Sequence, residues 1–385
     1  CQSTSPEISN NVFTGNRTLA PVPWTPEFIH EIAHDGGAIA ALDGAAPHIH
    51  HNLFVDNTTE SGRGAAIAAH NHSPALISHN VFIGNVAGTN DAARSSDGGA
   101  VSAAFHSAAD IFYNVMLGNR ADGTNDGGGV FTERWSPIRV GGNVIVDNSS
   151  TDDGGGIYLS GQIHHYITEQ EPLPPAERFT IRITGNTLVA NRNRGGGFDS
   201  GFRFTLDTRV AFDRNITYDN HGGVDFRMSE VSATGNVFHD TVTVRETDHP
   251  NRFSRNLILR HLDDQTPPEL HETPVLSTAP VPGTRAFARL FTDDGLDLRI
   301  TASAHAAARF LTELTLAGPL PGDPAALANR VVRLDGRWSV VHSASGRTLR
   351  VWGAHEGASR AEILPTFHVR SGAGYETIRE AQAAR

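Results

Sequence analysis

Carboxylates, guanidinium groups and aromatic rings recur in this chain at fixed offsets from short glycine runs. Six such runs lead into a β-branched or aromatic residue: Gly36-Gly37-Ala38-Ile39, Gly64-Ala65-Ala66-Ile67, Gly98-Gly99-Ala100-Val101, Gly127-Gly128-Gly129-Val130, Gly154-Gly155-Gly156-Ile157 and Gly195-Gly196-Gly197-Phe198. Gly222-Gly223-Val224 is a shortened form. If the residue closing each run points inward on a strand, alternation throws the next residue and the third one outward. The outward file opens with Ala40 and Leu42, Ala68 and His70, Ser102 and Ala104. It then changes to Phe131 and Glu133, Tyr158 and Ser160, Asp199 and Gly201, Asp225 and Arg227, with Arg203 nearby. Rings at Phe131 and Tyr158 suit stacking on sugar faces, and carboxylates with Arg203 and Arg227 suit hydroxyls or uronates. Asp199 and Asp225, on successive coils, are expected about 5 Å apart, the separation of a retaining glycosidase. Glu133 and Asp199, two coils apart, come nearer the ~6.5–9.5 Å of an inverting one. The plainer alternative is two solvated ion pairs, Asp199 with Arg203 and Asp225 with Arg227, each worth under ~1 kcal/mol.

A second file consists of Asp35, Asp97, Asp126 and Asp153, each immediately before a glycine, with Asn125 and Asp152 adjoining. Stacking gathers these carboxylates on one edge, where like charges repel. A calcium ion held by Asp97, Asp126 and Asp153 would relieve the repulsion, because oxygen ligands at corners are what that ion takes. Turn chemistry alone is the rival account, since Asp-Gly is a favoured corner pair. Among 20 histidines, His48, His50, His51, His70, His72 and His79 cluster early in the chain, and His30 and His34 stand at helical spacing. Both sets have metal-ligand chemistry, but surface or corner positions are the expected outcome. No phosphate loop, nucleophile elbow or dinucleotide fingerprint is present.

The elements that must position these groups follow from a second repeat. Asparagines come in pairs five residues apart, from Asn11 and Asn16, Asn52 and Asn57, Asn80 and Asn85 through to Asn215 and Asn220; Asn236 and Asn256 continue the first member alone. Apolar residues alternate around them, as at Ile49, Leu53 and Val55, which is the period of a strand. Equivalent asparagines are separated by 41, 28, 34, 29, 43, 29, 21 and 20 residues. A coil of about 20 residues with loop insertions is one turn of a parallel β-helix. Coils stacked roughly 4.8 Å apart let the amides form an internal ladder, with glycines at the opposite corner.

The alternating G-G-A-I and F-x-x-N phrases, the latter in full at Phe13–Asn16, Phe54–Asn57 and Phe82–Asn85, resemble the right-handed parallel β-helix repeats of polysaccharide lyases, β-helix glycoside hydrolases and epimerases, and chlamydial polymorphic outer-membrane proteins. The resemblance covers about residues 6–260. It implies a right-handed single-stranded parallel β-helix, and it implies function only loosely, because the same coil hosts enzymes and inert stalks. It also implies calcium use of the pectate lyase kind. In lyases of this fold the base is often Lys or Arg, which leaves Arg203, Arg227, His164, His165 or Tyr158 for that role here.

Composition sets outer bounds. All 31 basic residues are arginine, which excludes lysine chemistry, and 42 acids leave a net charge of −11 that disfavours a nucleic-acid partner. No apolar run approaches the roughly 20 residues of a bilayer span. Cys1, the one cysteine, excludes an intrachain disulfide, and Cys1-Gln2-Ser3-Thr4 resembles the lipid-bearing terminus of a mature bacterial lipoprotein. Loops at 17–35, 86–97 and 161–177 interrupt the coils, the last carrying His164 and His165 as candidate substrate contacts. The repeat is expected over 1–265 in about nine coils, followed by a proline-rich linker at 266–283. A small β-barrel or sandwich over 284–385 comes next, with a terminal helix from Tyr375 and a hairpin turn at Asp335-Gly336. Two functions fit: an extracellular or surface-bound protein that binds and cleaves a polysaccharide as hydrolase or lyase, or a non-catalytic adhesive scaffold of β-helices stacked end to end, the uncapped first coil being covered by a neighbour or a lipid face.

Overall fold

The computed structural model describes residues 1–19, 34–89, 96–123, 125–161, 179–195, 201–205, 208–245, 251–254, 256–258 and 295–364. They fall into two compact units, each considered by itself. The 266–283 linker, the terminal helix, most of the loop at 161–177, and with them Asp199, His164 and His165, lie outside the described residues.

The first unit is a parallel β-helix. Four parallel sheets run along it: two of nine strands starting from Glu7–Ser9 and Val12–Thr14, one of six two-residue strands ending at Arg17–Thr18, and one of eight strands starting from Ile39–Leu42. Neighbours in each sheet come from successive coils, so residues tens of positions apart in sequence stand side by side. Phe13, Phe54 and Phe82 share a register position, and their rings stack 4.8 and 4.9 Å apart. Alternation buries Ile67 and Ala69, Val101 and Ala103, and Phe202 and Phe204 in one continuous core.

The asparagines line the inside of two corners as expected. Asn114 Oδ1 accepts from both the backbone N–H (2.9 Å) and the Nδ2 (3.2 Å) of Asn80, while Asn114 Nδ2 donates to Ile77 O and to Asn143 Oδ1. The second ladder runs in parallel through Asn85, Asn119 and Asn148. Where the second asparagine of the repeat runs out, Asp240 takes its place and accepts from Asn220 N and Nδ2 at 3.2 and 2.7 Å. An acid substitutes for an amide there because that rung needs only to accept. The glycine corner is equally constrained: Gly64 has φ +66°, and a Cβ on Gly128 would stand 2.3 Å from Ser149 O.

The second unit is a closed six-stranded antiparallel barrel of strands Leu296–Ala306, Leu311–Leu316, Thr348–Trp352, Arg337–Ser345, Val331–Leu334 and Arg360–Ile363 in spatial order. Asp335 and Gly336 both have positive φ and join Leu334 to Arg337, the geometry of a two-residue hairpin. Asp323 caps the 3₁₀ turn Pro324–Leu327 through Ala325 N. Leu314, Val332, Val341 and Val351 fill the interior.

Candidate functional site

The eight-stranded sheet carries the candidate site on its outward side and on the corner before each strand. Ala68, Ser102, Phe131, Tyr158, Arg203 and Asp225 occupy one register file in that order. Sequence spacing puts Asp199 in this file. Instead the strand begins at Phe202, so the position between Tyr158 and Asp225 is filled by Arg203. Phe202 and Phe204 are the inward residues of that strand, and Phe198 lies outside the described residues.

The file is also not open to solvent. Phe131 and Tyr158 are 2% and 1% exposed and stack on each other at 5.6 Å, nearly parallel. Their ring faces are therefore not free platforms for a sugar. Nor does Asp225 pair with Arg227. Its carboxylate is gripped by Arg245 from the next coil, Nε to Oδ1 at 3.1 Å and NH2 to Oδ2 at 2.7 Å, and Arg203 Nε stands 3.8 Å from Oδ2. Arg203 itself reaches Asp153 Oδ2 at 2.7 Å. These are buried ion pairs, in which loss of one partner strands the other charge.

The corner row holds a residue that the sequence pattern missed. Arg63 precedes Gly64 just as the aspartates precede their glycines, and its backbone N–H donates to Asp35 Oδ1 at 2.7 Å. Asp126 N donates to Asp97 Oδ1 (2.9 Å) and Asp153 N to Asp126 Oδ1 (2.8 Å) in the same manner. The row is thus Asp35, Arg63, Asp97, Asp126, Asp153, and the carboxylates of Asp35, Asp97 and Asp126 each accept from the backbone N–H of the next coil. Aligning the residue before each glycine run, rather than the aspartates alone, would have found Arg63. Its guanidinium, 3% exposed, joins two acids: NH2 to Glu133 Oε1 at 3.2 Å and Nε to Asp97 Oδ2 at 3.5 Å.

Burial in this row raises the carboxyl pKa values. Glu133 is pushed up to about 7 by burial, with Arg63 opposing and the charges of Asp97 and Asp35 adding to it. Asp97 rises to about 6 by burial against the pull of Arg63. Asp153 rises to about 6 by burial against Arg203. Asp126 goes well above the usual carboxylate range, first by burial and then by the neighbouring charges of Asp97 and Asp153. Burial and the charges of Asp126 and Asp153 push the Tyr158 phenol up.

Among the described residues, one group of acids has ligand atoms close enough to share an ion: Asp126, Asp152 and Asp153, all within 4.8 Å of one another. Asp152, not Asp97, is the third member, because Asp97 is taken up by Arg63 and Asp126 N. Asp153 Oδ1 and the Tyr158 hydroxyl are buried without a hydrogen-bond partner, so the oxygen-rich set fits a hard cation. Among the described residues the early histidines bring no three ligand atoms together, although His50 Nδ1 lies 2.8 Å from His51 Nδ1. His51 stacks on His79 at 5.0 Å, His72 on His106 at 5.1 Å, and His50 Nε2 meets Glu7 at 2.9 Å. His70 stands apart from them, fully buried. No family model, curated protein or solved structure matches the chain.

Proposed function

We propose that the protein acts outside the cell or at its surface and cleaves a polysaccharide by acid–base catalysis at the carboxyls of the corner row, the outward file of the eight-stranded sheet being closed to the glycan. The observation that carries this reading is the pair Glu133 and Asp97, held on one buried guanidinium with pKa values of about 7 and about 6. Between those values Glu133 keeps its proton and can give it to a leaving glycosidic oxygen, while Asp97 has lost its own and can take one from water. Two carboxyls set apart by their surroundings are how such enzymes assign acid and base. Arg245, more exposed than Arg63 and Arg203, supplies a fork for a hydroxyl or a uronate carboxylate. Asp126, Asp152 and Asp153 would hold calcium, which supplies charge neutralisation beside a substrate carboxylate.

The test is a panel of acidic and neutral glycans assayed for new reducing ends and for the absorbance of unsaturated uronate. Wild type should be active with a bell-shaped pH profile whose limbs lie near 6 and 7, and Glu133→Gln should lose roughly 10²-fold or more. Product from no glycan in the panel, or unchanged turnover in Glu133→Gln, would sink the assignment.

The first coil favours a second reading, in which copies stack end to end as a scaffold. Among the described residues its strands Glu7–Ser9, Val12–Thr14 and Arg17–Thr18 pair on one side only, and Val12 and Leu19 are 59% and 60% exposed. An open row of strand edges is a template for another chain. Light scattering on wild type and Val12→Arg should show assemblies that the charge disperses; a monomer in both removes this reading.

A further inference from the structure

Three residues from three successive coils form a hydrogen-bonded chain that branches from the acid row at Asp35. His70 Nδ1 lies 2.6 Å from Asp35 Oδ2, and His70 Nε2 lies 2.8 Å from Ser102 Oγ. His70 and Ser102 are fully buried and Asp35 nearly so, yet none belongs to the apolar core, because their side chains leave the sheet on its outward side and at its corner. The arrangement is fixed at each step. Asp35 Oδ1 is occupied by Arg63 N–H at 2.7 Å, so the carboxylate is turned to present Oδ2 to the ring. An acceptor at Nδ1 places the imidazole proton there and leaves Nε2 to accept from the serine hydroxyl. Phe105 abuts the ring edge-on at 5.6 Å and blocks its rotation.

We propose that Asp35, His70 and Ser102 are a nucleophilic relay, and that the protein hydrolyses carboxylic esters of small acyl groups, acetyl esters being the fitting class. A hydroxyl bonded to an imidazole that is itself oriented by a carboxylate is the arrangement that activates serine. Ser102 Oγ attacks the acyl carbonyl carbon as its proton passes to His70 Nε2. The ester C–O bond then breaks, the departing alcohol takes that proton, and the acyl group stays on Ser102. Water attacks the acyl-serine, its proton passing through His70 back to Ser102 Oγ, and a carboxylic acid leaves. Asp35 is a positioning residue throughout, holding the ring and stabilising its charge. Arg63 borders the Phe105 ring: its guanidinium sits 5.2 Å from the ring centroid, with Nε 3.5 Å from Asp97. Ala68 and Ser102 stand side by side in the file and both are fully buried, so the acyl group assigned to the site is a small one.

The proposal does not rest on the glycan reading, since its probes contain no sugar. The full chain is treated with p-nitrophenyl acetate and, separately, with a small fluorophosphonate whose attachment is located by peptide mass spectrometry. Wild type should release nitrophenolate and carry the label on Ser102. Ser102→Ala, which places in the file the residue type already present at Ala68, should stay folded, its melting temperature lowered by the orphaned His70 Nε2, and lose roughly 10³-fold or more in rate. Asp35→Asn should lower kcat with KM unchanged, which a merely structural role would not do. Hydrolysis that persists in Ser102→Ala, or a wild type that neither hydrolyses the ester nor takes the label at Ser102, would overturn the relay.

Discussion

The asparagine ladders and the aspartate–arginine row are built by the same operation, the repetition of one side-chain type at one corner of successive coils, and they end in opposite states. In the ladders every amide both gives and accepts, so Asn119 is fully buried with its oxygen taking two bonds and its Nδ2 donating to Phe82 O and Asn148 Oδ1. In the row a carboxylate only accepts, one oxygen is used by the next coil's N–H, and what remains is charge. Arg63 and Arg203 neutralise part of it. The rest appears as raised pKa values at Glu133, Asp97, Asp126 and Asp153. A solenoid stores reactivity where its stacked groups cannot satisfy one another, and stability where they can.

The comparison breaks most sharply at Asn119. Asn119→Ala removes the acceptor for Asn85 N and Nδ2 and the donor to Phe82 O and Asn148 Oδ1, leaving buried groups unpaired on both adjoining coils. Each orphan costs about 1–3 kcal/mol, so denaturant unfolding should show a loss of roughly 3–5 kcal/mol. A loss under about 1 kcal/mol would mean that the ladder is not what holds the corner.

The next effect depends on pH. Glu133 binds its proton more tightly in the folded chain than in the unfolded one, so its contribution is fully present below the unfolded pKa near 4.5 and is lost as pH rises through about 7. Asp97 and Asp153 act in the same direction, from 3.8 to about 6. The melting temperature should therefore fall between about pH 4 and pH 7, the reverse of ordinary acid denaturation. Glu133→Gln should flatten that slope by about 3 kcal/mol over the range. Asn119→Ala should lower the curve without changing its shape. Parallel curves for wild type and Glu133→Gln would show that Glu133 is ionised in the folded chain at low pH.

The ladders were legible in the sequence because amide spacing, apolar alternation and stacking distance all follow from period and geometry. The barrel hairpin at Asp335-Gly336 was legible for the same local reason. Asp240 was not, since it stands four residues after Asn236 where five were expected, and only its acceptor chemistry shows that it belongs. The site was legible by composition more than by register: Glu133, Arg203 and Asp225 lie on the outward flank, the file position between Tyr158 and Asp225 is held by Arg203, and Asp199 lies outside the described residues. The burial of Phe131 and Tyr158 could not be read from alternation, which separates inside from outside and does not report what lies over the outside. Asp35, His70 and Ser102 come from three coils with offsets of 35 and 32 residues, and loop insertions between coils hide such a contact from any fixed period.

The smallest effect concerns the cation, and it distinguishes charge relieved by a ligand from charge relieved by protons. Asp126, Asp152 and Asp153 bind an ion only when deprotonated, so calcium competes with the protons that the raised pKa values of Asp126 and Asp153 retain. Added calcium at ten times its dissociation constant should stabilise the chain by about 1.4 kcal/mol near pH 8, read as a higher melting temperature, and by much less near pH 5. Asp152→Asn removes one ligand without touching the backbone bonds of the row, so it should abolish the calcium increment and leave the metal-free melt nearly unchanged. Magnesium should substitute poorly, because corner carboxylates fixed by the coil spacing suit the looser calcium shell better than a strict octahedron. A calcium increment that is equal at pH 5 and pH 8, or one that survives in Asp152→Asn, would place the ion elsewhere and leave the row balanced by Arg63, Arg203 and protons alone.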